Sequence, residues 1–338
     1  MTARFGRSVA SAVDRDRRKQ GIFSESPMQT EVLTVDAATP QPEVIARAAA
    51  VLRRGGLVAV PTETVYGLAA DALNEAAVRG IFAAKGRPAN NPLIVHAAGV
   101  AEAQALAAAW PAAAERLAAA FWPGPLSLVL PKRPNVPDVV TAGGSTVALR
   151  VPIHPVARAL IEASGRPLAA PSANPSTRVS SVTADHVRRG LTEKVDLILD
   201  GGATPGGLES TVVDVSGAVP RLLRPGPIGI AALQEALGTI VVEVRSQATV
   251  DDGALPSPGL LRRHYSPAVP LDLTDDDGRR RVAELIATGR TVGWIPWGVP
   301  LAAASNERVL CMPLSRRPIE YAAKLYSTLH DLEACGVD

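Results

Sequence analysis

The sequence predicts an α/β protein built on a mixed sheet with flanking helices, followed by a second, smaller α/β unit. Two observations carry that prediction. Short apolar runs of strand length alternate with segments of helical period, in no strict order. The apolar runs end in turns rich in Gly, Ser, Thr and Asn, where strands hand over to loops.

Taken in order, residues 1–27 are polar, with Arg4, Arg7, Arg15, Arg17, Arg18 and Lys19 and no apolar period. They are expected to form a disordered extension, and Met28 sits just before the first structured pattern. No apolar segment of signal-peptide type follows the basic residues, and Asp14, Asp16 and Glu25 count against a transit peptide. Over 41–54 the apolar residues recur at helical spacing, and Gly55-Gly56 supplies the stop. A buried strand is expected at 57–60. Asn74 is placed to cap a helix reaching about residue 84, with Glu75 in its first turn. A strand at 93–95 precedes an Ala-rich stretch, 103–114, which reads as a surface helix or a helix pair because Pro111 interrupts it.

Pro123, Gly124 and Pro125 forbid regular structure before a strand at 127–130. Further strands are expected at 146–151, 168–170, 197–199, 212–215 and 222–223, with helices at 154–164 and 230–237. These segments assign 28–241 to one domain. Residues 242–267, with Pro256-Ser257-Pro258-Gly259, read as a linker. Such a segment is either an inert spacer or lies over an active site, and Arg262, Arg263, His264 and Tyr265 give it chemistry that a spacer does not need. Residues 268–338 repeat the α/β pattern: helix 279–287, strand 291–295, strand 309–312 and helix 319–334.

Composition narrows the function classes. The 338 residues are 47% apolar with a net charge of +2, which fits a globular protein and argues against broad electrostatic capture of nucleic acid. No run reaches the roughly 18 uncharged apolar residues that a membrane helix requires. Cys311 and Cys335 match no metal spacing, and a reducing cytosol is expected.

No Walker-type loop, dinucleotide fingerprint, metal-binding histidine pair or Gly-x-Ser-x-Gly elbow is present. What remains is a set of polar strand-end loops: Thr62/Thr64/Tyr66, Lys85/Arg87/Asn91/His96, Thr146/Arg150, Ser172/Asn174/Ser180, Glu209/Ser210/Thr211 and Arg224. Clustered cations and hydroxyls suit an anionic nucleotide, with Arg binding phosphate through a planar fork and Lys as a point charge. No hydroxyl has an adjacent base, so catalysis by positioning and charge stabilisation is expected. Plainer readings stand beside this one. Ser172 and Asn174 fit an Asx or ST turn, Lys85 and Arg87 a solvated face, His96 a core histidine, and Arg150 a cation with an inward partner.

Taken together, the motifs carry more. Pro-Thr-Glu-Thr-Val-Tyr-Gly-Leu (61–68), Lys-Gly-Arg-Pro (85–88) with Asn-Pro-Leu-Ile-Val-His (91–96), Trp-Pro-Gly-Pro-Leu (122–126), Ala-Pro-Ser-Ala-Asn (170–174), Glu-Ser-Thr-Val-Val-Asp (209–214) and Arg-Pro-Gly (224–226) occur in one order. That combination resembles the YrdC-like threonylcarbamoyl-adenylate synthases. Ser-Pro-Gly (257–259) and His-Tyr-Ser-Pro (264–267) resemble the long, two-domain form of the family. The resemblance implies a YrdC-like twisted, mixed, open sheet with a Rossmann-like C-terminal domain. It also implies a cytoplasmic nucleotidyltransferase that turns L-threonine, bicarbonate and ATP, with Mg2+, into threonylcarbamoyl-adenylate and pyrophosphate. A separate transferase complex would pass the group to the adenosine beside the tRNA anticodon, with direct tRNA binding weak or absent.

By motif, Thr64, His96, Arg150, the backbone at Ala170 and Ser210 would hold threonine. Arg87, Asn91, Thr146, Ser172, Asn174, Ser180, Arg224 and Tyr265 would hold ATP. Lys85 would share the phosphate charge, making it and Arg87 the catalytic pair, and no protein-bound metal is implied. Relatives of the long form continue past residue 338, so a truncated C-terminal domain is expected. Two rival readings are a non-catalytic RNA-binding module, which the scarce aromatics (4%) disfavour, and a carbamoyl-adenylating relative, which would carry zinc-finger-like cysteines.

Overall fold

The computed structural model describes residues 29–238, 243–244, 265–298 and 307–338. The expected disordered extension and most of the expected linker lie outside the described residues. The chain begins β1 (Glu31–Thr34), α1 (Pro42–Arg53), β2 (Val58–Val60), β3 (Gly67–Asp71), α2 (Glu75–Lys85) and β4 (Ile94–His96). It continues α3 (Val100–Leu106), α4 (Ala112–Phe121), β5 (Leu126–Pro131), α5 (Asp138–Thr141), β6 (Thr146–Arg150) and α6 (Pro155–Ser164). Then come β7 (Leu168–Ala169), α7 (Ala184–Leu191), β8 (Leu197–Asp200), β9 (Thr211–Asp214), β10 (Arg221–Arg224), α8 (Ile230–Leu237) and β11 (Glu243–Val244). A second unit holds α9 (Arg279–Ala287), β12 (Val292–Trp294), β13 (Val309–Cys311) and α10 (Pro318–Ala334).

The first eleven strands form one mixed sheet, ordered β1-β8-β2-β3-β7-β4-β6-β5-β9-β10-β11. Parallel pairs such as β4/β6 and β5/β9 sit beside antiparallel ones such as β5/β6 and β3/β7. Alternation along each strand divides the core between the two faces. Val58 and Val60 of β2 join Ala69 of β3 and the apolar faces of α1 and α6, where Ile45, Val51, Leu52 and Leu160 are buried. Ala59, Leu68 and Ala70 face the other way, into a larger core closed by α2, α4, α7 and α8. Each large side chain so buried contributes roughly 1.5–3 kcal/mol, which holds helices of 8 to 12 residues that would be marginal alone.

Local signals place the element ends. The Asn74 side chain accepts from the amides of Ala76 and Ala77 at 3.1 and 3.2 Å, starting α2. Gly86, with φ +60°, ends it in the left-handed conformation. Of the two readings for the Ala-rich stretch, the helix pair is found: Pro111 stands as N-cap of α4, outside the helix interior, where its missing N–H would break the hydrogen-bond ladder. β1, β3, α5, α7 and β11 answer to no expected element.

The smaller unit pairs β12 with β13 in parallel and packs α9 on β12. Its last helix, α10, reaches back to the first domain. Tyr326 and Leu329 pack with Val65, Val179 and Val182. The contact is close at Gly207, whose φ is +70° and where a Cβ would stand 2.4 Å from the Ala322 carbonyl oxygen. His330 stacks on His186 with centroids 3.9 Å apart and brings Nε2 to 3.1 Å from the Ser180 carbonyl. At the end of the expected linker, the Ser266 amide donates to the Thr177 carbonyl at 2.9 Å.

Candidate active site

β4 and β6 run parallel in a register that places His96 beside Arg150 at their C-terminal ends. Because Val95 and Leu149 point into the large core, Ile94, His96 and Arg150 are turned to the opposite face of the sheet. That face opens into a cleft. Nine of the expected site residues line it: Thr64, Arg87, His96, Arg150, Ala170, Ser172, Ser210, Arg224 and Tyr265.

One group of lining residues is set by Arg150. Its Nη1 donates to the Thr64 hydroxyl at 3.0 Å, its Nη2 lies 2.6 Å from Oε1 of Glu63, and its Nε donates to the Gly124 carbonyl at 3.3 Å. The Thr64 hydroxyl also meets that of Thr62 at 2.8 Å, which fixes the turn after β2. Arg150 thus has the inward partner that an arginine in an apolar strand needs, and Glu63 supplies it. His96 is 4% exposed, and neither ring nitrogen has a hydrogen-bond partner among the described residues. Burial and the neighbouring Arg150 push its pKa down to about 3, so it presents a neutral imidazole to the cleft.

A second group of lining residues, Arg87 and Arg224, is also cationic. Arg87 follows the left-handed turn at Gly86, and its fork is fixed from behind. Nε donates to the Asn91 carbonyl at 3.0 Å, and Nη2 to Oδ1 of Asn91 at 2.6 Å and to the Pro92 carbonyl at 2.7 Å. Burial, with Arg224 nearby, pushes its pKa down only to about 10, so the charge persists at neutral pH. Arg224, ending β10, donates from Nε and Nη2 to the Ser210 carbonyl at 3.0 and 2.9 Å. Its Nη1 donates to the Tyr265 hydroxyl at 3.0 Å. The loop it grips passes so close to Gly226 that a Cβ there would lie 2.5 Å from the Thr211 amide nitrogen. Burial raises the Tyr265 phenol pKa, leaving it protonated.

Five expected residues are not in the lining. Lys85 sits at the C-terminus of α2, where a cation is favoured, and donates from Nζ to the carbonyls of Ser172 and Asn174. It thereby ties α2 to the loop that follows β7; burial and Arg87 lower its pKa well below the usual lysine range. Asn91 is fully buried behind Arg87 and supports its fork. Asn174 donates from Nδ2 to the carbonyls of Pro175 and Arg178 at 2.9 and 2.8 Å, while its Oδ1 accepts nothing among the described residues, so it ties the loop without forming the expected Asx turn. The Ser180 hydroxyl donates to Oε1 of Glu209. Thr146 opens β6 at the end opposite Arg150, about 13 Å away at ~3.3 Å per residue.

Two acids were missed as site residues. Among the described residues Glu209 is the one acidic side chain in the lining, and Glu63 neutralises Arg150. Both lie inside motifs noted in the sequence, but their partners come from distant strands and helices, so no local signal marks their roles.

Residues 50–226 match the Sua5, YciO and YrdC family, described as "Telomere recombination". Residues 228–338 match the family described as "Threonylcarbamoyl-AMP synthase, C-terminal domain". A Pyrococcus abyssi protein named threonylcarbamoyl-AMP synthase is 44% identical over 298 residues, covering 86% of each chain. A Bacillus subtilis protein of the same name is 40% identical over 311 residues, 90% of this chain and 89% of its own. Among solved structures, P. abyssi Sua5 complexed with L-threonine aligns with a TM-score of 0.83 at 41% identity, covering 91% of both chains. E. coli YciO, at 24% identity and a TM-score of 0.55, shares the fold over 60% of this chain. With matches running through both domains, the chain belongs to the Sua5/YciO/YrdC family, in the form that carries the Sua5 C-terminal domain.

Proposed function

We propose that the chain is an L-threonylcarbamoyladenylate synthase, a nucleotidyltransferase that converts L-threonine, bicarbonate and ATP into threonylcarbamoyl-AMP, pyrophosphate and water. The observation that carries this reading is the single cleft lined both by Thr64, His96 and Arg150 and by Arg87, Arg224 and Tyr265. Support comes from relatives that bear the synthase name along both domains and from the threonine complex of P. abyssi Sua5.

The residues suit the steps. The threonine carboxylate meets Arg150, whose fork is already oriented by Thr64 and Glu63. The amine, once deprotonated, attacks the carbon of bicarbonate or of the CO2 derived from it. The resulting carbamate oxygen attacks the α-phosphorus, and the bond to the β-phosphate bridge breaks as pyrophosphate leaves. Arg87 and Arg224 face the charge that builds on the phosphates, and neither must reorganise, since both forks are held from behind. Lys85 acts from beneath, holding the backbone that presents Ser172. His96 stays neutral and can pair with a polar group of the amino acid.

Among the described residues no three His, Cys, Asp or Glu side chains cluster to hold a metal, and Glu209 alone offers a carboxylate to the cleft. That donor set fits Mg2+ arriving on the triphosphate, held by phosphate oxygens and water rather than by a protein cage. Bound there, the ion would neutralise phosphate charge.

In this reading the product passes to a tRNA-modifying transferase complex in the cytoplasm, and the chain itself binds tRNA weakly or not at all. Among the described residues no helix is long and apolar enough to cross a membrane. The test is incubation with ATP, L-threonine, bicarbonate and Mg2+, with pyrophosphate detected. Release is expected only when threonine is present; threonine-independent release, or none, refutes the proposal.

A further inference from the structure

Glu209 poses a physical problem. A carboxylate lines the same cleft as Arg87 and Arg224, one residue before the Ser210 that Arg224 grips, with Lys85 near enough to feel its charge. Left free, it would swing onto these cations and compete with any phosphate for them. Its oxygens are instead occupied by two hydroxyls. Ser180, from the first domain, donates to Oε1, and Tyr326, from α10 of the second domain, donates to Oε2 at 2.9 Å. The Tyr326 ring also stacks on that of Tyr265, with centroids 6.2 Å apart and planes 26° from parallel. Tyr265 in turn accepts from Arg224. One side chain of the second domain therefore reaches both the acid and, through Tyr265, a cation of the cleft. Tyr326 is 6% exposed, and burial with Glu209 beside it raises its phenol pKa, so the hydroxyl remains a donor at every working pH.

We infer that Tyr326 is a positioning residue for the nucleotide subsite. Its hydroxyl holds the Glu209 carboxylate away from Arg87 and Arg224, and its ring backs Tyr265 where that side chain meets Arg224. The second domain thereby keeps the phosphate side of the cleft electropositive. This rests on the assignment of Arg87 and Arg224 to ATP.

Tyr326→Phe tests it, because the ring and its packing stay and one oxygen goes. Losing one charge-assisted hydrogen bond frees Oε2 of Glu209 to pair with the cations. The expected result is about a tenfold rise in both KM and calorimetric Kd for ATP, with KM for threonine moving less than twofold. In a Glu209→Gln background the same substitution should have almost no effect, since the charge that it releases is gone. Equal changes in both KM values, an unchanged Kd for ATP, or additive effects in the double variant each overturn the inference. So does a Tyr326→Phe chain that fails to melt cooperatively, because the hydroxyl would then be a requirement for folding. Absence of threonine-dependent pyrophosphate release in the unsubstituted chain refutes the proposed reaction instead, and the Kd comparison still decides the role of Tyr326.

Discussion

Replacing Arg87 with lysine probes the part of the cleft proposed to take phosphate while keeping a cation in place. The arginine fork makes three hydrogen bonds, to the Asn91 carbonyl, the Asn91 side chain and the Pro92 carbonyl, at 2.6 to 3.0 Å. A single ammonium cannot span that set, so about two bonds are lost at roughly 1.5–3 kcal/mol each, less what the flexible lysine recovers. We expect unfolding free energy to fall by about 3 kcal/mol. Under the proposed function catalysis should suffer separately, because the bonds to Asn91 and Pro92 use Nε and Nη2 and would leave Nη1 as the donor for phosphate. Removing one preorganised donor from developing charge costs about 10²–10³ in kcat. The burial that lowers the arginine to about 10 acts on a lysine from a lower starting pKa, so its charge is lost sooner as pH rises. The assay is pyrophosphate release against ATP concentration at saturating threonine and bicarbonate, with urea unfolding in parallel. A folded Arg87→Lys chain whose kcat/KM for ATP stays within threefold of the unsubstituted protein would refute the placement of phosphate in this part of the cleft.

Three further outcomes are expected. Glu63→Ala strands the buried Arg150 charge, so unfolding free energy should drop by about 3–5 kcal/mol; a loss below 1 kcal/mol in urea titration rules out the pair as a structural element. Because the folded pKa of His96 is about 3, below its ordinary value near 6.5, the unfolded chain binds the extra proton between those limits. Its contribution makes stability decline as pH falls below about 6.5, by up to ~1.4 kcal/mol per unit, and His96→Gln should flatten the profile between pH 6.5 and 5. An unaltered slope in the variant contradicts a buried neutral imidazole. Excess EDTA should stop pyrophosphate release without moving the melting temperature, since no metal cluster exists among the described residues; full activity in EDTA contradicts the role of Mg2+.

Local chemistry alone determined much of this protein. Helical period with Gly, Pro and Asn punctuation placed α1, α2, α8, α9 and α10 within a residue or two, because caps and breakers act on their immediate neighbours. Ordered motifs marked the family, and nine of the residues they nominated line one cleft. Other features needed the folded chain. β3 is Gly-Leu-Ala-Ala-Asp, fully buried and without a β-branched side chain, so only its pairing with β2 and β7 makes it a strand. Lys85 and Asn91 read as phosphate ligands in sequence, yet they grip backbone carbonyls and the Arg87 fork. Which group a buried cation meets depends on loops that other strands deliver. The pairs Glu63–Arg150 and Tyr326–Glu209 join segments far apart in the chain. Such a contact forms only when sheet register and domain docking bring both ends together, and no local pattern encodes it.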